Sequence, residues 1–212
     1  MLYDKDIREP LFDFLEEMYG KMRILEEKQM GKSRADIVMV LPDLVAGIEI
    51  KSDADTYARL KRQVKDYDQF YDKNYVVAGS SHALHIGEHV PEWWGIITVE
   101  QVAGKADFYL LREARPNPLV KLKKKLSILW RPELAHIQEL NSMPRYKEKS
   151  KLFVIDKIAE KIPGDILSGQ ISAVLFDRDY NGLENVIREF KQTQTSAAGK
   201  RRTRRIRKGR RS

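Results

Sequence analysis

No cysteine occurs anywhere in the 212 residues. That excludes disulfides, zinc ribbons and thiol nucleophiles, and is compatible with a reducing compartment. Long apolar runs are also missing, so nothing reads as a membrane span, and the N-terminus MLYDKDIREP lacks the apolar segment of a secretory signal. The expectation is a cytoplasmic protein with no membrane partner. Histidine is scarce too, with four residues, three of them clustered at His82, His85 and His89 beside Glu88. With no second cluster to complete a site, these are read as loop histidines near substrate rather than as metal ligands.

What the chain does have is a positive charge of +8, and its location matters more than its size. Nine of the 39 Lys and Arg fall in the last stretch, at Lys200, Arg201, Arg202, Arg204, Arg205, Arg207, Lys208, Arg210 and Arg211. No acid accompanies them, which leaves residues 1–195 with 30 basic and 31 acidic side chains. The body is electrically ordinary, and the basicity is an appended tail suited to nucleic-acid phosphates. From about Lys191 onward, Gln, Thr, Ser, Ala and Gly precede the basic run, and the composition predicts disorder.

The most informative stretch is RADIVMVLPDLVAGIEIK, Arg34 to Lys51. It reads as two apolar strands, Arg34–Leu41 and Val45–Lys51, around Pro42-Asp43. Successive strand side chains alternate faces, so Glu49 and Lys51 share one and Ile48 and Ile50 the other. A hairpin with an even loop sets Leu41 opposite Leu44 and Asp36 opposite Glu49. Proline suits a four-residue loop better than a tight two-residue turn, and that loop keeps the same register. Facing carboxylates destabilise a sheet unless something cationic lies between them. A hard divalent ion would serve, and Lys51 on the same face would meet an anionic substrate or its attacking water.

Asp4–Tyr19 has apolar residues at helical spacing, Lys21–Glu27 reads as a first strand, and Gly31 turns the chain into the hairpin. A helix from Asp53 to Tyr71 follows, carrying Gln63 and Tyr67 four residues apart. Gln63 is placed to bind water or phosphate, while Tyr67 is read as core. Arg59, Lys61, Arg62 and Lys65 make this helix basic. Strands at Asn74–Gly79, Gly95–Val99 and, at the edge, Phe108–Arg112 complete a sheet, with Trp93 and Trp94 as lids on the core. Helices are expected at Leu119–Trp130, Pro132–Leu140, Lys149–Ile162 and Asp165–Phe176, with no chemistry among them. The division is residues 1–114 as the core, 115–190 as a helical extension and 191–212 as the tail.

Asp36 followed by Glu49-Ile50-Lys51 resembles the signature of the PD-(D/E)XK nuclease superfamily, and the Gln63-x3-Tyr67 helix resembles its RecB-like branch. GKSRADIVMV, GIEIKSDADTYARLKRQVKDY, VVAGSSH, VPEWWGI and LWRPEL further resemble a small bacterial nuclease-like family. The likeness runs over residues 5–180, with Ala35 standing where the signature has proline. It implies an α/β, restriction-endonuclease-like core and a Mg2+- or Mn2+-dependent nuclease acting on DNA rather than RNA. Asp36, Glu49 and the Ile50 carbonyl would bind metal, Lys51 and Gln63 would serve the attacking water, and a 5′-phosphate would result. A further acid is implied, either Glu17 or Glu27, with Glu27 favoured. A homodimer or a larger DNA-processing complex is compatible with this. The alternatives are a nucleic-acid-binding protein of that fold with little turnover, and a protein-interaction module.

Overall fold

The computed structural model describes residues 2–178; the expected tail, with its cations from Lys200 to Arg211, lies outside them. The described residues up to Phe176 form one compact unit. That unit is α/β, built on a six-stranded mixed sheet in sequential order flanked by helices. Its strands are β1 (Arg23–Met30), β2 (Ser33–Val40), β3 (Val45–Lys51), β4 (Lys73–Gly79), β5 (Gly95–Val102) and β6 (Lys105–Arg112). β3, β4 and β5 run parallel, whereas β1–β2, β2–β3 and β5–β6 are antiparallel.

Each face of the sheet carries its own core. Helix α1 (Asp4–Tyr19) covers one, burying Ile7, Leu11 and Leu15 against Ile37, Met39, Ile48, Ile50, Val77 and Ile97. The three α1 side chains sit four residues apart, so a single stripe does the packing, at about 1.5–3 kcal/mol for each fully buried chain. Helix α2 (Leu60–Phe70) covers the other face with Leu60, Tyr67 and Phe70, over Val38, Val40, Val45 and Val76. Gly47 makes that approach possible, because a Cβ there would run into the rings of Tyr67 and Tyr71.

The expected helix from Asp53 starts late, as a 3-10 turn at Tyr57–Arg59 leading into α2. Both aspartates meant to start it are engaged in the preceding loop. Asp53 accepts from the Leu2 amide and from Ser81, and Asp55 accepts from the Ser52 amide and hydroxyl. The short α3 (Ile86–His89) precedes β5.

Helices α4 (Leu122–Ser127), α5 (Arg131–Leu140), α6 (Lys151–Lys161) and α7 (Gly164–Phe176) follow. α4 is shorter than expected because residues before it run along the core. Asn117 donates to the carbonyls of Asp68 and Tyr71, and the Lys121 amide donates to Gln69. These helices share the α2-side core through Leu126, Leu134, Ile158 and Ile171, so no domain boundary falls at residue 115. Lys125, wholly buried on α4, fastens them: its Nζ lies 2.6 Å from Asp72 Oδ2 and 2.7 Å from Ser168 Oγ. Burial pushes the Lys125 pKa down, and Asp72 works against that.

Candidate active site

The register between β2 and β3 is the one expected from an even loop. Ile37 pairs with Ile48, Val38 with Gly47 and Val40 with Val45, and the Leu41 amide donates to the Leu44 carbonyl. Carried one step further, the register sets Asp36 against Glu49; on the other side, Glu26–Ile37 and Lys28–Ala35 flank a Glu27–Asp36 position. Asp36 is paired in neither ladder. Its amide donates to the Tyr67 hydroxyl at 3.2 Å and its carbonyl accepts from Arg8 Nη1 at 3.2 Å. Glu27 has turned to φ +53, a left-handed backbone that disfavours any side chain with a Cβ. The sheet therefore opens at this row, and side chains satisfy the backbone groups it releases.

A polar cleft of about 520 Å3 lies over the opening. Asp36, Glu49, Ile50 and Lys51 form its β2–β3 side, Gln63 and Arg62 come from α2, and Glu27 and Arg34 from the β1–β2 hairpin. The five core residues expected at the site, with Glu27, are thus brought together. Glu17 is exposed on α1 and does not line it.

Glu49 is 1% exposed. Its Oε1 accepts from Lys51 Nζ at 2.5 Å and from Gln63 Nε2 at 2.5 Å, and Lys51 also reaches Gln63 Oε1 at 3.2 Å. Oε2 faces the Tyr67 hydroxyl at 2.9 Å, whose one proton lies between it and the Ile48 carbonyl at 3.0 Å. Burial raises the Tyr67 pKa well above the usual phenol range, so the hydroxyl remains a donor. Tyr67 is core, as its spacing suggests, and packs on Trp94 at 5.3 Å. It is also the link between Asp36 and Glu49, a role its position in the apolar stripe conceals.

Asp36 Oδ2 accepts from the Ile50 amide at 2.9 Å, and Arg8 Nη2 stands 3.7 Å from Oδ1. Burial and the neighbouring Glu49 push its pKa up to about 7, against the pull of the Ile50 amide, Lys51 and Arg8. Glu27 lies in the cleft but is engaged by two guanidiniums, Arg8 at 3.0 Å and Arg34. Sequence reasoning misses Arg8. It springs from α1, on the opposite face of the sheet, and nothing local in the sequence ties it to the acids.

Among the described residues no group of three or more His, Cys, Asp or Glu is arranged to hold a metal ion. What the cleft offers a cation is two carboxylates, Asp36 and Glu49, beside the Ile50 backbone. That all-oxygen set fits a hard ion that keeps several waters and takes its remaining ligands from a phosphate. His82, His85 and His89 are elsewhere occupied: His82 by the Tyr57 hydroxyl at 3.0 Å, His85 by Glu88 at 3.2 Å, and His89 by the Tyr57 ring. Trp93 and Trp94 donate their indole N–H groups to Asp68, and Trp94 is fully buried, as lids on the core would be.

Fold and cleft together define an α/β protein whose mixed sheet carries a buried acid–lysine pair at the floor of an open polar groove. The chain belongs to the family of bacteriophage P4 protein cII, whose model matches residues 2–206. No curated protein matches it. Among solved structures, SfsA of Pyrococcus furiosus, in complex with Ca2+, is similar over 56% of this chain and 62% of its own, less than two thirds. The identity there is 15% and the TM-score 0.30, too slight a likeness to bear on the chemistry. No helix among the described residues is long and apolar enough to cross a membrane.

Proposed function

We propose that this protein is a Mg2+-dependent (or Mn2+-dependent) nuclease with a restriction-endonuclease-like core, acting on DNA in preference to RNA. The observation that carries the reading is the buried set Glu49, Lys51 and Gln63 beside Asp36, opening onto a cleft. Burying a carboxylate and an ammonium gains a fold little over apolar packing, so this set is better explained by what it does. Bound at Asp36 and Glu49, the metal would supply Lewis-acid stabilisation of charge building on the phosphoryl oxygens. Lys51, anchored by Glu49, orients the attacking water and offsets the added negative charge of the phosphorane. Gln63 holds Lys51 and Glu49 in place from above. Water oxygen joins phosphorus, the P–O3′ bond breaks, and the 3′ oxygen leaves with a proton, giving a 5′-phosphate.

Purified full-length protein, incubated with DNA and with RNA, is expected to cleave DNA with Mg2+ or Mn2+ and to stop in EDTA. Asp36→Asn and Glu49→Gln should each abolish cleavage while leaving the fold intact. Two observations favour a second reading, in which the protein binds nucleic acid with little turnover. Both Glu49 oxygens are already hydrogen-bonded, and the described residues hold no three-acid metal cluster. Metal-independent DNA binding without any cleavage would decide for that reading.

A further inference from the structure

Three cations that line the cleft have no acidic partner among the described residues: Lys32, Arg59 and Arg62. The other basic groups in the cleft are matched, Arg8 to Asp4, Arg34 to Glu27 and Lys51 to Glu49. All three unmatched cations are exposed, and they come from two elements, the β1–β2 turn and the start of α2, whose contact is marked by Gly31 lying against Asp66. Lys32 sits at the tip of the two-residue β1–β2 turn, while Arg59 and Arg62 stand at the start of α2, three residues apart and so on one helix face. Asp36 and Glu49 line the same cleft. The basic run of this helix thus divides: Arg59 and Arg62 face the cleft, and Lys61 and Lys65 lie outside it, exposed.

We infer that Lys32, Arg59 and Arg62 form a phosphate clamp that threads one nucleic-acid backbone strand across the acidic floor. An acidic floor repels an anion, so the strand needs cations beside the bond held over it. Unpaired positive charge from two elements of one cleft meets that need, and guanidiniums are suited to take phosphate oxygens in pairs. The inference rests on the nucleic-acid reading proposed for the cleft, and binding without metal tests it separately from cleavage.

The experiment measures binding of a labelled single-stranded oligodeoxynucleotide to the full chain in EDTA across a salt series. The pair Arg59→Glu with Arg62→Glu is compared with Lys61→Glu with Lys65→Glu, an equal charge change on the same helix outside the cleft. The arginine pair is expected to weaken binding tenfold or more at low salt. With two fewer phosphates neutralised, the slope of log K against log salt should flatten by about 1.4. The lysine pair should keep the wild-type slope. Lys32→Gln, at an exposed turn, gives an arm that folding cannot confound, with the slope expected to flatten by about 0.7. Equal effects from the two pairs, or an unchanged slope in Lys32→Gln, overturn the clamp while leaving the nuclease reading standing. Absence of binding by wild-type protein overturns the clamp and the nucleic-acid reading together. Binding abolished in the arginine pair of a protein that never cleaves supports the clamp and sinks only the nuclease.

Discussion

Asp36 sits where its ionised form is penalised, and that makes the metal-free protein's stability depend on pH in an unusual direction. A carboxyl whose folded pKa is raised keeps its proton in the folded state after the unfolded chain has lost it. The penalty is absent below the ordinary value of 3.8, grows as pH rises, and is complete above about 7. In EDTA, wild-type stability should therefore fall between those limits, at roughly 1.4 kcal/mol per pH unit at most. Asp36→Asn should lack that slope, and thermal melts from acid to neutral pH read the difference. A constant gap between the two proteins across the window would show that Asp36 does not carry the penalty. Tyr67→Phe tests the link between the acids. It keeps the ring but strips the Asp36 amide of its acceptor and Glu49 of a donor, at a cost of about 1–3 kcal/mol in urea unfolding. A neutral result would make the hydroxyl incidental. That hydroxyl is legible in the sequence only as a tyrosine on an apolar stripe, since the Asp36 amide it meets is 31 residues distant, on another element.

Helix α2 works as a bracket between core and cleft. Its inner stripe seats it on β2, β3 and β4, and this seating holds Gln63 at 2.5 Å from Glu49. Gly47 sets the height of the bracket. Gly47→Ala would push a methyl group into two buried aromatic rings, with no flexible chain end to yield. Overpacking of this kind costs about 1–3 kcal/mol. The same lift should separate Gln63 from Glu49, so the unfolding midpoint and any cleavage rate should drop together. Wild-type behaviour in both would mean the helix can shift freely over the sheet. The late start of the helix is not legible in the sequence, because Asp53 and Asp55 have the chemistry of helix caps and only the folded loop shows their side chains spent elsewhere.

At the scale of the whole molecule, charge is divided between a balanced body and a basic end. The nine cations from Lys200 to Arg211 have no acids near them in sequence and supply no metal-binding carboxylates. Truncation after Thr195 should weaken nucleic-acid binding at low salt. For every phosphate that the tail neutralises, its removal should flatten the salt slope by about 0.7–0.9. Turnover at saturating substrate should stay, because Asp36, Glu49, Lys51 and Gln63 remain. Loss of turnover at saturation would place the tail within the catalytic assembly, and unchanged binding would end its role as a tether. Salt-dependent binding assays with single-turnover cleavage distinguish the three results.

The sequence alone determined whatever depends on local periodicity. α1 spans Asp4–Tyr19 and β3 spans Val45–Lys51 as their patterns require, and an even loop at Pro42-Asp43 carried the β2–β3 register. Side-chain alternation and helical spacing act over a few residues, so a chain read in order contains them. Alternation also sets Asp36, Glu49 and Lys51 on one face, whereas Gln63 joins them only because α2 packs over that face. Tertiary structure decided the rest. Arg8 reaches the acids from a helix on the far face, Glu27 is turned aside into two arginines, and Asp36 leaves both ladders so that a cleft can open. The four late helices join the sheet's own core through Lys125 and Asp72, residues 53 apart. Such partners are set by where packed elements bring distant side chains, and no window of sequence holds both ends of the contact.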